Sequence, residues 1–142
     1  MDREQIKELL REILAEQKNC PVKLVRLPEV RIEESDKLDT GDRSHRVNTH
    51  DVLSLTESPR LGCGIMEMEQ TTFPWTLQYD EIDYVISGSL TVVWEDHRIT
   101  AGPGEMILIP KGSGISFSAE DHARFLYITY PANWQEQKER TP

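Results

Sequence analysis

The chain has 142 residues, enough for one domain with a real core and short of two comfortable ones. Its 25 acidic residues outweigh 16 lysines and arginines, a net charge of -9, which argues against nucleic acid or an anionic membrane as a general partner. The longest apolar runs, such as MILIP at 106–110, fall far below the ~20 residues of a membrane span, so a soluble, cytoplasmic protein without a membrane partner is expected.

At the N-terminus, Ile6, Leu9, Leu10, Ile13 and Leu14 recur at helical spacing, with Asp2 and Glu4 at the positive end of the dipole. An amphipathic helix is therefore predicted within residues 1–20, closed by Asn19 and Pro21. Its stripe suits packing on the rest of the chain or on a second subunit, or docking of residues 2–18 into a groove on a partner. Cys20 and Cys63 are read as free thiols.

Residues 21–59 alternate short apolar pieces with polar stretches and read as an extended arm with short strands. Its strands are expected to complete a sheet, in the same subunit or across a dimer. From residue 60 the texture changes. GIMEMEQT, WTLQY, IDYVISG, LTVVWEDH, MILIPKG, GISFS and ARFLYITYP follow one another with glycine, proline and acidic turn signals between them. Seven short strands at this spacing predict an all-β sandwich or barrel over 60–134, followed by a polar tail at 135–142 anchored by Trp134.

Two segments have the spacing of a cupin, a jelly-roll β-barrel (double-stranded β-helix) that usually holds a metal. Glu81 precedes Gly88 by seven residues, and Gly104, Pro110 and Gly112 follow the second half of the motif. The histidines do not. Their positions hold Trp75 and Leu77 (or Pro74 and Thr76) and Ile115, so Glu81 is the one ligand of four that survives. Isoleucine and leucine have no lone pair to offer a divalent ion, and no built-in metal or cofactor is expected. His45, His50, His97 and His122 are scattered through polar stretches, with His97 in a predicted turn and His122 before the last strand; they read as surface residues.

The match goes further. SPRLGCGIMEME at 58–69, FPWTLQYDEIDYVISG, TAGPGEMILIPKGS and ARFLYITYPANW closely resemble the EutQ family of bacterial ethanolamine utilisation, over about residues 40–134. That resemblance implies a dimeric, metal-independent cupin associated with a bacterial microcompartment, a protein-shelled organelle. It also implies acetate kinase activity, ATP and acetate giving ADP and acetyl phosphate, with magnesium and ATP as the cofactors of that reaction. A non-catalytic homodimer that helps assemble the compartment, meeting shell or enzyme partners, is the alternative.

The residues themselves contain no phosphate-binding loop, for no Gly-Lys pair exists in the chain. Lys111, among glycines in PGEMILIPKGSG, is either part of an anion nest or simply a tight turn. In YDEIDY, alternation sends Glu81 and Asp83 to one face, the interior if Glu81 keeps its family orientation. Tyr79, Asp80, Glu81, Asp83, Tyr84 and Lys111 are thus the pocket candidates, two acids raising each other's pKa. Alternatively, Asp80 and Asp83 tie down the loop through backbone or Arg124. Which face of GIMEME, the methionines or Glu67 and Glu69, turns inward stays open.

Overall fold

The computed structural model describes residues 2–136, which form two compact units that divide between Val30 and Arg31. In the first, helix α1 spans Arg3–Asn19. It starts where it does because Asp2 and Gln5 cap it reciprocally: the Asp2 carboxylate accepts the Gln5 N–H at 2.8 Å and the Gln5 side chain accepts the Asp2 N–H at 2.9 Å. Pro21 lies just beyond its end, where the lost donor does no harm. A single 3-10 turn follows at Leu27–Glu29.

The second unit is an antiparallel β-barrel of seven strands: β1 (Val47–Asp51), β2 (Gly62–Thr76), β3 (Asp80–Gly88), β4 (Leu90–Trp94), β5 (His97–Ala101), β6 (Met106–Ile109) and β7 (Gly114–Tyr130). Their order is β1-β2-β7-β3-β6, with β4 joining β7 to β5. The arm completes this sheet within the same chain, because β1 pairs with β2 from Val47–Met68 to Asp51–Gly64. Of the tail predicted at 135–142, residues 137–142 lie outside the described residues.

Two pairs of predicted strands are fused. GIMEMEQT and the first two residues of WTLQY lie in one strand of 15 residues, bent at a bulge between Glu69 and Thr71 where Gln70 takes φ 44°. GISFS and ARFLYITYP join through Glu120, Asp121 and His122, which are strand residues facing outward and not the turn that acidic residues suggest. His97 begins β5 instead of sitting in a turn. Long strands let one element serve several neighbours: β7 pairs with β2 along most of its length, with β4 near its start and with β3 towards its end.

The interior follows the period-2 pattern. Met66, Met68, Phe73, Trp75, Leu77, Val85, Leu90, Ile115, Phe117 and Phe125 all point inward and are buried. Gly64 is required at its place, since a Cβ there would lie 2.1 Å from the Tyr127 hydroxyl.

Candidate functional site

Strand β3 alternates cleanly: Glu81 and Asp83 are buried, 4% and 0% exposed, while Asp80 and Tyr84 face out. Across the ladder, Glu81 faces Thr129 and Asp83 faces Tyr127 on β7, with Ile109 and Ile107 on their other side on β6. Glu81 and Asp83 are the only charged residues buried among the described residues. Glu81 Oε2, both Asp83 carboxylate oxygens and Thr129 Oγ1 are buried and have no hydrogen-bond partner. Burial pushes Glu81 up to about 7, and burial together with the Glu81 charge holds Asp83 well above the usual carboxylate range. The two carboxyl groups bear on each other's titration, so they take up protons as a pair.

Aromatic rings close this acid pair off. The Trp75 indole N–H donates to the Tyr79 hydroxyl at 2.8 Å. Burial, then the charge of Glu81, pushes the Tyr79 phenol above its ordinary range. Trp134, in the 3-10 turn Trp134–Glu136, packs its ring against Trp75, Tyr79 and Tyr127 at centroid distances of 6.2, 6.1 and 5.4 Å. One carboxylate holds the arrangement. Asp51, at the end of β1, accepts from the Tyr127 hydroxyl, from Trp134 Nε1 at 3.3 Å and from Gln135 Nε2 at 3.0 Å. Thr49 donates to Tyr127 at 2.8 Å. Outside this plug lies a cavity of about 610 Å³ whose walls include Asp36, Asp39, Thr49, Asp51, Trp75 and Trp134.

Of the pocket candidates, Tyr79, Glu81 and Asp83 therefore meet in the interior. Asp80, Tyr84 and Lys111 do not. Asp80 accepts the backbone N–H of Lys111 at 2.8 Å, tying the start of β3 to the turn after β6, and the lysine side chain is exposed. The anion nest is corrected by the same turn. The N–H groups of Lys111, Gly112 and Ser113 already donate to Asp80, Leu77 O and Pro110 O, so none is left to cradle a phosphate. The Asp83 oxygens have no partner, and the Arg124 guanidinium pairs with Glu67, its cross-strand neighbour. Met66 and Met68 are the inward face of GIMEME, and Glu67 and Glu69 turn outward.

The donor set does not fit a cupin metal. Trp75, Leu77 and Ile115 are buried carbon-rich side chains, with Trp75 and Ile115 paired across β2 and β7, and Trp75 offers a donor instead of a lone pair. Among the described residues no three His, Cys, Asp or Glu side chains gather to hold an ion. Each histidine instead sits beside a nearby acid: His45 by Asp42, His50 by Asp36, His97 by Asp96 and His122 by Asp121.

A second concavity, of about 770 Å³, was not foreseen. It lies on the outer face of β1, β2 and β7 and brings together Lys37, Arg46 and Arg124 with Glu34, Glu67 and Glu69. Arg46 pairs with Glu69 at 3.0 Å, and Lys37 donates to the Arg43 carbonyl. No local pattern in the sequence signals it, because its walls come from segments far apart in the chain.

Comparisons with known proteins agree with the fold. Residues 1–136 match the family described as ethanolamine utilisation protein EutQ. The chain belongs to the EutQ family. It is 58% identical over 113 residues to a Clostridioides difficile protein named acetate kinase EutQ, covering 80% of this chain and 72% of that protein. A Salmonella typhimurium protein of the same name is 41% identical over 95 residues, 67% of this chain and 42% of the relative, so the match spans less than half of that longer protein. The solved structure of a Clostridium difficile EutQ protein superposes with a TM-score of 0.80 at 56% identity, covering 82% of this chain and 85% of that one. A cupin superfamily protein from Desulfitobacterium hafniense, 14% identical with a TM-score of 0.53 over 60% of this chain and 77% of that one, shares the fold alone. This EutQ-family barrel is thus a cupin in which carbon side chains replace the metal ligands and an acid pair occupies the interior. Among its described residues no helix is long and apolar enough to cross a membrane.

Proposed function

We propose that the chain is an acetate kinase of ethanolamine utilisation, moving a phosphoryl group between ATP and acetate. The observation that carries this reading is the 58% identity, over most of this chain, to a protein named for that activity. In the forward direction an acetate oxygen attacks the γ-phosphorus, the bond from phosphorus to the ADP oxygen breaks, and acetyl phosphate and ADP leave with no net proton.

Such a reaction needs cations around the phosphates and carboxylates for the magnesium ion that accompanies ATP. The outer groove supports both. Lys37, Arg46 and Arg124 offer positive charge, and Glu34 and Glu69 offer the oxygens that would hold magnesium. The interior suits neither acetate nor ATP, because no lysine or arginine is buried there among the described residues to meet an anion. The same reading makes the protein a cytoplasmic homodimer associated with the microcompartment. Tyr84, Met106, Leu108 and Ile128, 36–61% exposed on the outer face of neighbouring strands β3, β6 and β7, support a self-association surface.

Purified protein given acetate, ATP and magnesium should form acetyl phosphate, trapped as the hydroxamate. Arg46→Ala and Arg124→Ala should raise the KM for ATP, and Lys111→Ala should behave as wild type, since its bond to Asp80 is made by the backbone. No hydroxamate above a protein-free blank would overturn the catalytic reading and leave the assembly role.

A further inference from the structure

The two most exposed large apolar side chains among the described residues stand together in the arm that follows α1: Val22 and Leu24 are 82% and 73% exposed. Residues 20–26 form neither helix nor strand, and Pro21 keeps the residue before it extended, with Cys20 at φ -92° and ψ 113°. Along an extended chain every second side chain shares a side, so Val22 and Leu24 point the same way. They form a small apolar edge with nothing on it.

A matching face exists on the barrel. Next in exposure come Leu108 and Met106 of β6, at 61% and 58%. The ladders set them in one apolar surface: Ile82 stands between Leu108 and Ile128, and Tyr84 between Met106 and Leu126. A contiguous apolar patch of this kind on a folded protein marks a contact site. Charge fits as well. Residues 20–28 carry Lys23 and Arg26 and no acid, in a chain of net charge -9, while the exposed acids Asp80 and Glu105 border the face.

Connectivity favours the barrel of another copy. The segment after the arm runs beside β1, where Lys37 bridges to Asn48, and β1 and β6 are opposite ends of the strand order. A copy related by a twofold axis can offer its β3–β6 face to the arm and receive the other arm in return, so each contact is made twice. We propose that residues 20–26 of one protomer dock on the outer face of β3, β6 and β7 of a second copy, with Val22 and Leu24 on Leu108 and Met106. The inference rests on the homodimer reading, not on the kinase reading, and names what covers that face.

The test uses the whole chain with Cys20→Ser and Cys63→Ser, carrying Val22→Cys and Leu108→Cys together. Diamide takes two electrons and two protons from a pair of neighbouring thiols, leaving a disulfide and a reduced hydrazine. A covalent dimer on a non-reducing gel is expected, at least fivefold above the level given by Val22→Cys with Arg98→Cys on β5. Val22→Asp with Leu24→Asp, in the otherwise unaltered chain, should shift the protein to monomer in light scattering with its circular dichroism unchanged; this variant carries the test if the cysteine variant does not fold. A disulfide confined to one chain overturns the inference. No disulfide in a protein that is still dimeric, or a dimer that survives both aspartates, overturns the arm contact and leaves the homodimer standing. A monomeric wild type overturns both.

Discussion

Replacing Glu81 with glutamine should make the protein more stable at pH 8 and leave it nearly unchanged at pH 4.5. The glutamate is fully buried without a cation, and burial moves its pKa from 4.5 to about 7. Below pH 4.5 the folded and unfolded chains both hold the proton, and ionisation takes nothing from stability. Above it, the unfolded glutamate ionises while the folded one stays protonated, so the native state binds more protons and stability falls as pH rises. The loss is complete above about pH 7. Moving the carboxyl from 4.5 to about 7, at ~1.36 kcal/mol per pH unit, corresponds to about 3 kcal/mol, large against the ~5–15 kcal/mol that holds a domain together. Because Asp83 titrates with Glu81, the experiment reads proton uptake by the pair as a whole. Glutamine keeps the shape and has no charge to lose. Urea unfolding in phosphate buffers, free of amines, should therefore give curves that nearly coincide at pH 4.5. At pH 8 the variant midpoint should lie higher by about 2 M, for a slope of ~1.5 kcal/mol per molar. A stability difference that stays flat between these pH values would mean that the pair is not protonated in the fold, and the account of the interior would fail.

Two further perturbations follow from the packing. Trp134→Ala removes a buried ring from contact with three others, and should lower stability by about 3–5 kcal/mol in thermal or urea unfolding while exposing Tyr79 and Tyr127 to quenchers. Leu108→Glu, on the exposed apolar face of β6, should shift the protein to monomer in light scattering while leaving its circular dichroism unchanged; an unaltered mass would remove this face from the proposed dimer.

Local pattern carried some of these features and missed others for physical reasons. Alternation in YDEIDY put Glu81 and Asp83 on one face, because a strand's side-chain period is strict, and only the cupin orientation of Glu81 made that face the interior. Trp75 and Ile115 announced the absence of metal donors by their chemistry alone. The turn containing Lys111 misled, because whether an N–H is free depends on Asp80, 31 residues away. The run Glu120–His122 read as a break because its exposed acids look like loop, yet in a half-buried strand the outward positions tolerate charge. Trp134 was legible as an anchor, but not what it anchors to, since its Asp51 partner is 83 residues distant. Nor does any short window predict that Lys37, Arg46 and Arg124 converge on one groove.

Strand β7 is paired on both edges at 116–118, by β2 and β4, and again at 123–129, by β2 and β3. Amides so enclosed open only when the whole barrel comes apart, and hydrogen exchange there should report global unfolding. Thr129 stands on that slow wall, whereas Trp134 stands on a single turn after it. Amides of that turn should therefore exchange well before those of the β7 wall against which its ring packs.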